Sequence, residues 1–290
     1  MGRPCIAITA GDPAGVGPEV IESALKHPEL DTRFEYEVLG LKNLTPGRPS
    51  EEGARQAFEA LEVALDGCMQ GRYAGVVTGP IHKAKMRGVG FLYPGQTEFF
   101  AERSGCLNHA MLLTGGQLSV ALVTAHIPLN QVAVKLTGEE IIRVGRLLAD
   151  FLELRLQRKP RIAVAGLNPH AGESGLLGME EQSVIEPALR QLRELIDAEV
   201  VGPCSPDTVF FRAVQGEFDG VLCMYHDQGL IPLKLHAFDA GVNVTLGLKF
   251  PRTSPDHGTA FEIAGQGIAR PHSMFAAIQL AAELAAKKML

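Results

Sequence analysis

The order of apolar and polar residues predicts an α/β protein with a mixed, largely parallel sheet. Apolar runs of four to seven residues recur along the chain. Between most of them lie amphipathic stretches of roughly ten to twenty residues, the rhythm of parallel strands returned by crossover helices. One pair of runs, 111–114 and 118–124, is joined only through Gly115-Gly116 and its flanks. That is too short for a crossover, so the sheet contains an antiparallel element as well. Most apolar runs also empty into a polar segment bearing glycine or proline, the place where α/β proteins keep their chemistry.

Residues 5–10 are the first strand, and the GDPAGVG segment at 11–17 turns it into a helix that opens with Pro18-Glu19. This glycine-rich turn is either a tight βα connection needing small residues or a ligand loop, because no G-x-G-x-x-G fingerprint occurs in the chain. Residues 36–41 form a second strand, and 52–69 show helical spacing through Ala54, Phe58, Leu61 and Leu65. A short strand at 74–77 ends in Thr78-Gly79-Pro80, followed by His82 and Lys83. Tyr93-Pro94-Gly95 makes a turn, and Thr97-Glu98 opens a helix carrying Phe99, Phe100 and Arg103.

After the glycine-joined pair, 139–156 is the clearest helix, and the strand 161–167 runs into NPHAGE. Residues 179–196 read as helix, and 206–214 as a short helix that Asp207 fits as N-cap. Two buried runs follow at 221–224 and 242–248, and an alanine-rich helix from 272 closes the chain. No flexible linker, internal repeat or low-complexity segment is evident.

With 290 residues, 46% apolar and 21% charged, the chain is an ordinary globular protein rather than a disordered one. A net charge of −6 provides no general basic field, so nucleic acid and anionic membrane are not expected partners. Five cysteines without a C-x-x-C pair fit a reducing compartment. No basic leader, apolar signal region or membrane-length apolar run is visible, and the expectation is a cytoplasmic protein.

Polar residues concentrate in the stretch 221–265, with His226, Asp227, Gln228 and Lys234 after one run and Asn243, Arg252, Ser254, Asp256 and His257 around and after the next. A loop of solvated charge is the plain alternative to a site for a polar anion. His126 in TAHIPL, His170 in NPHAGE and His226 in MYHDQG share one setting, each following an apolar strand beside proline, glycine or an acid. Such histidines are either hydrogen-bonded structural residues or ligands converging on a zinc- or cobalt-like ion from different strand ends. His82 and His257 are intermediate cases, whereas His27, His109, His236 and His272 lack the setting. Lys83, Lys234, Arg252 and Asn243 are of types that hold phosphate or carboxylate, or else are ordinary solvated polar groups.

GDPAGVGPE, TGPIHK, GQTEFF, TAHIPL, GLNPHAGE, PDT, MYHDQGL, GVNVTLGL and RTSPDHGTA occur in this order between residues 11 and 260. Together they resemble the 4-hydroxythreonine-4-phosphate dehydrogenase (PdxA) family of vitamin B6 synthesis. The resemblance implies an isocitrate/isopropylmalate dehydrogenase-like fold of two α/β domains, 1–105 with 244–290 and 106–243, with a cleft between them. It also implies a homodimer with active sites at the subunit interface, NAD or NADP as cofactor, and one divalent ion (zinc, cobalt or magnesium) per site. The family's metal ligands fall on His126, His170 and His226, two from one subunit and one from its partner. Its substrate-binding positions fall on Thr97, Lys234, Asn243 and Arg252.

The position before Thr97 is a histidine in the family pattern and Gln96 here, which keeps a hydrogen-bonding group but no titratable one. The segment 44–53 is shorter than is usual in the family, implying a trimmed surface excursion. The implied reaction oxidises and decarboxylates 4-phosphooxy-L-threonine to 3-amino-2-oxopropyl phosphate, with Lys83, Asp227 and Asp207 as candidates for the general base. Related substrates, a phosphorylated threonate or erythronate or an aromatic cis-dihydrodiol dicarboxylate, stand beside it. So does a non-catalytic metal- or phosphate-binding role.

Overall fold

The computed structural model describes residues 2–41 and 45–289; Leu44, where the trimmed excursion is expected to begin, lies outside them. Internal contacts divide the chain into two compact units, Met1–Leu107 with Val242–Leu290, and Asn108–Gly241.

The first unit starts with β1 (Cys5–Thr9), which turns through GDPAGVG into α1 (Gly17–Leu25). Glycine is required at two points of that turn. Gly11 has φ +73° and a Cβ there would lie 2.2 Å from the Pro80 carbonyl oxygen, while a Cβ at Gly17 would lie 2.0 Å from that of Ala10. β2 (Glu35–Leu39) follows, then α2 (Glu51–Met69), whose first turn is capped by Ser50 Oγ accepting from Gly53 N at 3.1 Å. α2 buries Ala54, Ala57, Leu61, Ala64, Leu65 and Cys68 along one stripe. Full burial of a side chain such as Leu61 contributes on the order of 2 kcal/mol. β3 (Gly75–Thr78), α3 (Lys83–Gly88) and α4 (Gln96–Arg103) complete this part.

The second unit contains β4 (Ala110–Gly115), β5 (Leu118–Leu122), α5 (Leu129–Lys135), α6 (Gly138–Leu156) and β6 (Arg161–Ala165). Thr137 caps α6 through Glu140 N at 3.3 Å. An irregular turn at Pro169–Gly175 and a π-helical turn at Glu181–Ile185 precede α7 (Glu186–Leu195). β7 (Glu199–Cys204), α8 (Val209–Val214), β8 (Gly220–Cys223) and α9 (His226–Ala237) follow. The chain then returns to the first unit with β9 (Val242–Leu246), β10 (Arg252–Pro255) and α10 (His272–Lys288).

Within the first unit the strands run β2-β1-β3-β10-β9, parallel except for β10 against β9. Ala7, Val76, Phe99, Phe100 and Phe250 pack with the α2 stripe on one face, while α10 and α1 cover the other. Within the second unit the order is β4-β5-β8-β6-β7, parallel except for the hairpin β4-β5. α8 and α9 cover one face around Val120, Leu122, Ala163, Val221 and Leu233, and α6 packs against β5 and β8 and carries α7 with it. The mixed, largely parallel α/β architecture read from the sequence is the one observed.

Two local readings change, and two elements that the sequence left unassigned appear. The polar segment after residue 225 is α9, and the helix read at 179–196 opens as a π-turn before becoming α7. Residues 252–255 are a strand. Asp207 is not an N-cap: α8 starts at Val209 without a side-chain cap, and Asp207 instead accepts a 2.6 Å bond from Ser205 Oγ.

Candidate active site

The first unit gathers its polar residues around Arg252. Alternation along β9 puts Asn243 and Thr245 on one side, and the antiparallel register sets Ser254 opposite Asn243, so Arg252 comes opposite Thr245 on the same face. The neighbour Thr253 points the other way and donates to the Ala277 carbonyl on α10 at 2.8 Å. Arg252 is 3% exposed. Its Nη2 donates to Thr78 Oγ1 at 2.5 Å and Gln96 Oε1 at 3.4 Å, and its Nη1 to Thr245 Oγ1 at 3.2 Å and Thr97 Oγ1 at 3.4 Å. Gln96 is fixed from its other end, Nε2 donating to the Gly79 carbonyl at 3.0 Å.

Every one of those acceptors is a neutral oxygen. Burial pulls the guanidinium down to about 10, with the charge of Glu98 acting the other way, so Arg252 remains a cation at neutral pH. A buried cation whose hydrogen-bond acceptors are all hydroxyl and amide oxygens is suited to receive an anion. Arg252 Nε and Asn243 Oδ1 are both buried without a hydrogen-bond partner. The N-terminus of α4 carries no side-chain cap, so its first N–H groups add positive potential where Gln96 and Thr97 stand. Lys83 borders the same turn, for a Cβ at Gly95 would meet Glu98 Oε2 at 2.9 Å and Lys83 Nζ at 3.9 Å. Arg252, Gln96, Thr97 and Asn243 were expected from the sequence, whereas Thr78 and Thr245 were not.

The second unit brings two of the three strand-end histidines together. β5 and β8 pair in parallel with Leu122 beside Cys223, and the pairing continues through Thr124 N to the Met224 carbonyl. His126 and His226 therefore emerge at the same end of neighbouring strands. Their ring centroids are 5.4 Å apart, and both line a cavity of about 400 Å³ with Thr124, Ile127, Tyr225 and Asp227. His226 Nδ1 lies 2.7 Å from Asp227 Oδ1. A carboxylate there holds the proton on Nδ1 and turns the Nε2 lone pair outward, the support that metal-ligating imidazoles commonly receive. Two imidazoles on one tetrahedral ion, with nitrogen roughly 2 Å from it, place their centroids on the order of 5 Å apart. The pair thus fits a shared divalent ion of the zinc or cobalt kind.

His170 does not join them: among the described residues no group of three His, Cys, Asp or Glu converges within the chain. It sits in a different element, where residues 170–174 have φ of 51°, 53°, 79°, 45° and 58°. His126 is left-handed too, at φ 54°. Such backbone costs roughly 1–2 kcal/mol for each L-residue and persists where the surroundings impose it, often at functional sites. Asp207 is close enough for His170 to act on it electrostatically, but the Ser205 hydroxyl is what chiefly holds its carboxyl below the usual range. Lys234 lies toward the last turn of α9. His27, one of the histidines outside the strand-end setting, stacks on Phe275 at 3.8 Å.

Gln228, also unanticipated as a structural bridge, accepts from Met224 N at 2.7 Å and donates to the Gly166 carbonyl at 2.7 Å. No sequence pattern marks such a link, because it joins two strand ends far apart in the chain.

Three comparisons bear on what this arrangement is similar to. The family model described as pyridoxal phosphate biosynthetic protein PdxA matches residues 16–281. The 4-hydroxythreonine-4-phosphate dehydrogenase of Caulobacter vibrioides is 42% identical, covering 98% of this chain and 98% of its own. The crystal structure of the enzyme of that name from Klebsiella pneumoniae superposes with a TM-score of 0.85 at 37% identity, covering 97% of this chain and 99% of the other. Isocitrate dehydrogenase from Methylococcus capsulatus, at 17% identity and a TM-score of 0.57 over 97% of this chain and 85% of its own, shares the fold alone.

Proposed function

The chain belongs to the family of pyridoxal phosphate biosynthetic proteins PdxA and is an oxidoreductase, and from that premise we propose that it is an NAD(P)- and divalent-metal-dependent dehydrogenase. Its substrate is 4-phosphooxy-L-threonine, oxidised at C3 and decarboxylated to 3-amino-2-oxopropyl phosphate. The observation that carries the reading is the imidazole pair of His126 and His226, 5.4 Å apart and buttressed by Asp227. With His170 from a second copy of the chain, the pair would make a three-histidine centre in a homodimer. When bound, the ion supplies a Lewis acid that lowers the pKa of the substrate hydroxyl and favours loss of carbon dioxide, while the nicotinamide accepts hydride.

The chain's own residues bind and orient. Arg252 and the hydroxyl of Thr97 hold an anionic end of the substrate, Asn243 offers its unpartnered Oδ1 to a donor on it, and Lys234 adds a point charge. Gln96 keeps the guanidinium in place at any pH because an amide does not titrate. Lys83, Asp207 and Asp227 are the candidates for the proton acceptor. Asp227 is engaged in orienting His226, and Asp207 is engaged by Ser205.

The test is turnover of 4-phosphooxy-L-threonine with NAD or NADP and zinc, cobalt or magnesium, followed by nicotinamide absorbance. Phosphorylated threonate and erythronate and a cis-dihydrodiol dicarboxylate serve as competitors. Reduction with release of carbon dioxide, abolished by a chelator and restored by metal, is the expected result. Tight ligand binding with no nicotinamide reduction on any of these substrates overturns it.

A further inference from the structure

We propose that Glu181 is a positioning residue that holds the left-handed turn at 170–174 and thereby aims the His170 imidazole. The inference rests on the reading of His170 as a metal ligand.

Five successive left-handed residues with one glycine among them do not form by local preference, so something outside the turn imposes it. Glu181 is 2% exposed and lies against this turn. Its Oε1 accepts from Leu167 N at 2.7 Å and Asn168 N at 2.8 Å, and its Oε2 accepts from the Asn168 side chain at 2.9 Å. A Cβ on Gly172 would fall 2.6 Å from Glu181 Oε2, and one on Gly166 3.2 Å from Oε1. Residues 166–168 and Gly172 therefore close around this one carboxylate. Asn168 Nδ2 also donates to Glu180 Oε2 at 2.7 Å, which fixes the amide two residues before His170. Glu181 opens the π-helical turn, a widened geometry that is frequent at functional sites.

Glutamine at 181 keeps the size and one acceptor for the two backbone N–H groups but sets an amide donor against the Asn168 amide. The protein and its Glu181→Gln, Asn168→Ala and His170→Ala variants are compared by cobalt affinity in equilibrium dialysis, by amide exchange over residues 167–177, and by Tm. The expectation is that His170→Ala abolishes tight binding. Glu181→Gln should weaken it by roughly 10- to 100-fold and speed exchange in the turn. Asn168→Ala, which leaves the buried carboxylate in place, should weaken it by a smaller factor and decides the question if Glu181→Gln does not fold.

A lowered Tm with cobalt affinity within about twofold of the parent means that Glu181 serves general stability only, and the inference fails while His170 stands as a ligand. If His170→Ala binds cobalt like the parent, the ligand reading itself fails, and this inference with it.

Discussion

Replacing Arg252 with lysine keeps the charge and removes the fork, which makes it the sharpest probe of the anion pocket proposed for the first unit. The guanidinium spreads four hydrogen bonds over two nitrogens, the nearest to Thr78 at 2.5 Å and Thr245 at 3.2 Å. A lysine ammonium ends in a single donor atom on a flexible stem and is more strongly hydrated, so in this buried place it reaches one side of the cage only. Bonds made by a charged donor contribute about 1.5–3 kcal/mol each. Losing one outright and misdirecting the bound anion comes to about 3 kcal/mol, or on the order of 100-fold in kcat/KM. Steady-state kinetics on the phosphorylated substrate, with Tm measured alongside, separate this from loss of fold. A lysine variant within about threefold of the parent in kcat/KM would mean that the pocket requires only a charge, and the argument from fork geometry would be wrong.

Two further outcomes concern stability. Gly67 sits inside α2 with the ring of Tyr73 so close that a Cβ would lie 2.3 Å from it, and Tyr73 is 2% exposed. Alanine gains about 1 kcal/mol of helix propensity but overpacks a rigid core by more, so Gly67→Ala should lose about 2 kcal/mol in urea unfolding. An unchanged midpoint would show that the ring swings aside. Asp12 is 1% exposed, and burial pushes its carboxyl above the usual range, with the Ala14 N–H pulling the other way. A folded-state pKa above the unfolded one means that the native protein binds this proton more tightly. Asp12 therefore costs stability once ionised, least below about pH 4 and increasingly as pH rises through its folded value. Asp12→Asn should gain on the parent as pH rises from acid toward neutral. A stability difference that does not change with pH would contradict that assignment.

The elements that the sequence revealed are those whose burial follows one period. α2 and α6 show a continuous apolar stripe, and β1, β6 and β8 are short apolar runs between turns. α9 escaped because Pro232 lies inside it and its exposed positions include Ile231 and Leu235, so no clean stripe identifies it. β10 escaped because Pro251 precedes it, Pro255 ends it, and its middle is polar. His126 and His226 could be picked out because each follows a strand, and parallel neighbours deliver their ends to one place. Thr78, Thr245 and Glu181 could not. A threonine in a strand is ordinary β chemistry, and only the register of β3 and β9 against β10 shows that two of them face Arg252.

The amide of Gln228 has a consequence for motion. It is tied at one atom to the tip of β6 and at the other to the tip of β8, and it belongs to the opening turn of α9. The tips therefore cannot drift apart without rupturing a bond in a dry interior, and a displacement felt after β6 is handed on to the helix that begins with His226. Whatever tugs on the NPHAGE corner also leans on the imidazole next door.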